Sequence, residues 1–118
     1  MPVAADLLAR EAHSLVDRLR VWAPARWAAE APPFGTRADL VHHLAQAFAA
    51  DETDRPLPRL DADLALPDQL AVTADDLVRS GRATEAHVGH LLAHRRDLLG
   101  EDVPPGLAHL PVRCPAIS

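Results

Sequence analysis

Apolar residues recur along this chain at intervals of three and four, the repeat of an amphipathic helix, in four separate stretches. In the first, over residues 3–21, Leu8, Ala12, Leu15, Leu19 and Trp22 form one stripe, flanked by Glu11, while His13 points away. Pro24 ends that pattern, and Pro32-Pro33-Phe34-Gly35 predicts a rigid link. Trp22 and Trp27, on either side of Pro24, are expected to anchor this link on the core. Thr36, a hydroxyl cap with Asp39 three residues later, starts the second helix. Leu40, Val41, Leu44, Ala47 and Phe48 are its inner face. On that wheel His43 lies beside Leu40 and Ala47, and His42 faces the opposite, solvent side.

From Asp51 to Leu66 the period dissolves. At roughly 3.3 Å per residue, this segment is long enough to run the length of a short bundle as a crossover. Pro67 then fits the first position of a third helix, with Asp68 complementing its positive end. Leu70, Thr73, Ala74, Leu77 and Val78 form its apolar face, and Gly81 is its stop. Thr84 caps a fourth helix that runs to Leu98-Leu99, with Ala83, His87, His90, Leu91, His94 and Leu98 as its inward stripe. No run alternates like a strand. The expected fold is all-α: a four-helix bundle over residues 1–100 with a long helix 2–3 crossover, then an extended Pro-rich tail over 101–118.

Composition narrows the function classes. A chain of 118 residues with 48% hydrophobic and 25% charged residues has the make-up of one ordinary globular domain. Its net charge of −5 and the lack of a basic stripe argue against nucleic acid as a partner. All basic residues are Arg, and Lys, Tyr and Asn are missing. Those missing types have AT-rich codons, which points to a GC-rich bacterial genome. One cysteine, Cys114, precludes an intrachain disulfide and fits a reducing compartment. With neither a signal-peptide pattern nor an apolar run of membrane-spanning length, the expected location is the cytoplasm, without membrane association.

Chemistry is suggested at one place. At 100° per residue, His87, His90 and His94 share a sector of about 60°, and His90-x-x-x-His94 is the i,i+4 pair able to share one cation. Imidazole suits divalent transition metals. With His43 from the second helix, His90 and His94 make a three-nitrogen set that leaves one coordination position open, as in catalytic zinc sites. His87 is then a fourth ligand or a supporting group, and Gln69 and Asp76, on the shoulder of the third helix, are candidates to orient a ligand's other nitrogen. The alternative is that these rings line a bundle surface or dimer seam and hydrogen-bond to acids. The HExxH protease motif is absent, as are the paired Glu-x-x-His motifs of di-iron bundles.

The order of these features, a first amphipathic helix, Trp27 in the link, the helix Thr36-Arg37-Ala38-Asp39-Leu40-Val41-His42-His43-Leu44-Ala45 and the later His90-x-x-x-His94, resembles the DinB-like superfamily. That superfamily includes relatives of mycothiol-dependent maleylpyruvate isomerase. The chain looks like a short, divergent member: the likeness spans residues 3–99 and concentrates in some fifteen positions, and His42 and His87 are additional histidines. The resemblance implies His43, His90 and His94 as ligands of one divalent metal, often zinc or nickel, and iron is the other candidate ion for such a site. It also implies a metal-dependent hydrolase or a transferase acting with a small-molecule thiol.

Two functions are expected. A small core with four aromatic residues favours a non-catalytic binding or interaction protein that gains stability as a homodimer. The alternative is the DinB-like metal-binding enzyme with the three-histidine site. Its proton-transfer group would be His87 or Asp76.

Overall fold

The computed structural model describes residues 3–50, 58 and 65–99. They form five helices: α1 (Val3–Leu19), α2 (Pro24–Ala28), α3 (Arg37–Ala49), α4 (Leu66–Arg79) and α5 (Glu85–Leu99). Among the described residues the only β pairing is an isolated bridge between Glu30 and Thr36. The protein is all-helical there, as the hydrophobic spacing predicts. Both the crossover (residues 51–57 and 59–64) and the tail, with Cys114, lie outside the described residues.

The long helices bury most of the apolar positions their sequences predict. In α1, Leu8, Ala12, Leu15 and Leu19 are fully buried, with Val16 beside them. In α3, Leu40, Val41, Leu44, Ala47 and Phe48 are sealed from solvent. In α4, Leu66, Leu70, Ala74 and Leu77 do the same, while Val78 is only partly buried against the core. At roughly 1.5–3 kcal/mol for each large aliphatic side chain, this burial is the main force holding the helices together. α1 packs on α4 and α5, and α3 packs on the same two helices, so the four long helices close a ring around one core.

The helix ends follow local chemistry. Thr36 Oγ1 accepts from the Asp39 N–H at 3.2 Å, and Asp39 Oδ2 accepts from the Thr36 N–H at 3.0 Å, a complete capping box. α4 ends in a paired turn: Gly81 N–H donates to the Val78 carbonyl and Arg82 N–H to that of Leu77. Gly81 has φ +79°, a conformation in which a side chain is strained.

The short α2 was not among the expected elements. Pro24 does end the α1 pattern, but it also opens a new turn, because its fixed φ suits the first helical position. α2 places Trp27 in the core, edge-on to Trp22 with ring centroids 4.9 Å apart. The guanidinium of Arg26 lies 4.6 Å from the Trp22 ring centroid. The link to α3 is pinned by backbone hydrogen bonds from Ala31 to Gly35 (2.8 Å), Phe34 to Ala31 (2.9 Å) and Arg37 to Ala29 (2.9 Å). Gly35, at φ +111°, leaves room for the Asp39 carboxylate, into which a Cβ would run.

Candidate metal centre

α3 supplies one histidine and α5 supplies two. His43 sits on the margin of the buried face of α3, half-buried; His90 and His94, one turn apart on α5, are 2% and 8% exposed. Because α3 packs on α5, the three rings meet. Centroids of His90 and His94 are 4.3 Å apart, those of His43 and His94 5.6 Å, and those of His43 and His90 5.7 Å. One nitrogen from each of the three can be chosen so that all lie within 4.8 Å of one another. This group could hold a metal ion.

The donors fit a cation of the borderline transition-metal class. His90 Nε2 and both ring nitrogens of His94 are buried with no hydrogen-bond partner among the described residues. A buried polar atom left so costs on the order of 1–3 kcal/mol. Protonation is opposed throughout. Burial, then the neighbouring His94, His43 and His87, push the His90 imidazole down to about 3. His43 is held below its usual value by burial and by His42. His94 is lowered by burial and by His43, against an opposing pull from Asp97. Neutral imidazoles with free lone pairs are what a zinc-like ion requires.

His87 is not one of the converging ligands. Its Nδ1 accepts from the Thr84 backbone N–H at 3.0 Å, while the His87 N–H reaches Thr84 Oγ1 at 3.4 Å. That is a capping box in which histidine replaces the usual glutamate, with Nδ1 as the acceptor. The ring packs on Phe48 with centroids 6.0 Å apart.

The two α4 candidates are engaged elsewhere. Asp76 is exposed and pairs with Arg79 at 2.7 Å. Gln69 donates its amide to the Pro58 carbonyl at 3.0 Å. A helical wheel gives the side of the helix a residue occupies, but not how far that side lies from the next helix. His42 is half-buried, not wholly on the solvent side.

Two contacts at the site escape the sequence reading. Phe34, expected only as part of the link, packs its ring 4.6 Å from the His43 centroid and 5.3 Å, edge-on, from that of His94. No local pattern announces this, since it depends on how the pinned link folds back. Asp97 Oδ2 lies 3.7 Å from His94 Nδ1, longer than a hydrogen bond but within ion-pair reach. Its signal was legible, because residues three apart on a helix are neighbours.

Fold and site together define an all-helical protein with a candidate three-histidine metal centre. No protein-family model, curated protein or solved structure matches the chain.

Proposed function

We propose that this protein binds one divalent transition metal, zinc, nickel or iron, through His43, His90 and His94. The convergence of three imidazoles from two packed helices carries this reading, together with the ring nitrogens of His90 and His94 that have no hydrogen-bond partner among the described residues. His90 and His94 supply the pair on one helix face and His43 closes the set from α3. A divalent ion held by these three imidazoles would supply Lewis acidity for hydrolytic or thiol-dependent chemistry. The chain's own contribution is to hold three lone pairs in fixed orientation and to cover two of the rings with the apolar face and edge of Phe34.

The four long helices are read as a four-helix bundle whose α3–α4 connection is a long crossover. The activity that fits is DinB-like: a cytoplasmic metal-dependent hydrolase, or a transferase taking a small-molecule thiol. The other expectation, a non-catalytic interaction protein that homodimerises, is decided by light scattering, where a monomer at micromolar concentration excludes the dimer.

Calorimetric titration of chelator-stripped protein with zinc tests the metal reading. Wild type should take up one equivalent, and His43→Ala should bind far more weakly while remaining helical by circular dichroism. Unchanged binding by His43→Ala would remove α3 from the site.

A further inference from the structure

A histidine that gives a lone pair to a metal carries its proton on the other ring nitrogen, and that N–H needs an acceptor. His94 is 8% exposed, and both of its nitrogens lack a hydrogen-bond partner among the described residues. Asp97 Oδ2, one turn on along α5, stands 3.7 Å from its Nδ1. Asp97 itself is not in the group whose ligand atoms converge, so it lies beside a candidate ligand and outside the candidate coordination set. Its side chain is 59% exposed, which leaves the carboxylate free to change rotamer.

From this geometry we infer that Asp97 is the positioning residue of the metal centre. Its carboxylate accepts the Nδ1–H of His94, which fixes the tautomer that turns Nε2 towards His43 and His90. Closing the contact from 3.7 Å to hydrogen-bond length needs a shift under 1 Å in an exposed side chain. The role rests on the metal reading above. It also assigns to α5 the orienting function that sequence placement gave to α4.

The test compares zinc affinity of wild type, Asp97→Asn, Asp97→Glu and a control, Glu85→Gln, which neutralises an exposed acid at the far end of the same helix. Supporting carboxylates of this kind are worth about 10–100-fold in metal affinity. Asp97→Asn should therefore bind about 10–100-fold more weakly, Asp97→Glu should recover part of that loss, and Glu85→Gln should match wild type. The difference should persist at about 1 M salt, where a screening length near 3 Å suppresses simple charge attraction. In the cobalt-loaded protein, the exchangeable hyperfine-shifted His N–H proton resonance should move or broaden in Asp97→Asn.

Wild-type affinity and an unmoved resonance in Asp97→Asn would overturn the assignment while leaving the metal centre intact. If wild type itself binds no zinc, cobalt or nickel, the metal reading fails and this inference fails with it.

Discussion

Burial strips the His90 ring of water, and neighbouring imidazoles oppose a positive charge there, so its pKa falls from 6.5 to about 3. Unfolding restores the ordinary value, so between those limits the unfolded chain binds the extra proton. Stability from the neutral ring is complete above about 6.5 and drains away as pH falls towards about 3. His43 and His94 are displaced in the same direction. The denaturation midpoint of the metal-free protein should therefore drop between neutral pH and about pH 5, and His90→Leu should flatten that slope. Equal midpoints at both pH values would mean the rings are not held neutral by burial. His87 is a different case, since Thr84 engages its Nδ1. His87→Ala should cost about 1–3 kcal/mol in urea denaturation, from a lost cap and a core cavity, with zinc stoichiometry unchanged. Loss of the metal with stability intact would make it a ligand instead.

At the scale of the elements, most boundaries were legible because helix ends have side-chain signatures. Thr36 with Asp39, Thr84 before α5, and Gly81 after α4 each mark an end within a residue or two of its place. The Gly81 turn gives a direct check. A Cβ there meets open space, so the cost of Gly81→Ala is backbone strain alone, about 1 kcal/mol of unfolding free energy. No change in stability would show that this turn relaxes without its left-handed residue. α2 was missed because Pro24 both stops one helix and starts another, and five residues are too few to show a period. α5 was only half legible. Its wheel predicts one buried stripe, yet Val88, Gly89 and Leu92 are buried as well. The physical reason is that α5 packs against both α1 and α3. Its N-terminal half is enclosed from two sides, and a one-faced wheel cannot register that. The same limit applies to Gln69 and Asp76, whose side chains engage Pro58 and Arg79.

For the molecule as a whole, residues far apart in sequence are brought together by the ring of helices. α1 meets α5 near a pair, buried Glu11 and partly buried Arg95, whose carboxylate and guanidinium stand 3.7 Å apart. On the other flank of α5, its contact with α3 puts His43 beside His90 and His94. A small core is thus made to accommodate three polar rings where aliphatic side chains would pack without penalty. A bound cation would satisfy the ring nitrogens of His90 and His94 that have no partner among the described residues, and this supports the proposed metal reading over a purely structural one. The most direct measurement is the metal content of protein purified without a histidine tag, beside the His90→Ala/His94→Ala double variant. The account predicts about one equivalent of zinc, nickel or iron per chain in the wild type and none in the folded variant. A wild type that stays folded and takes up no metal, even after incubation with each cation, would contradict it.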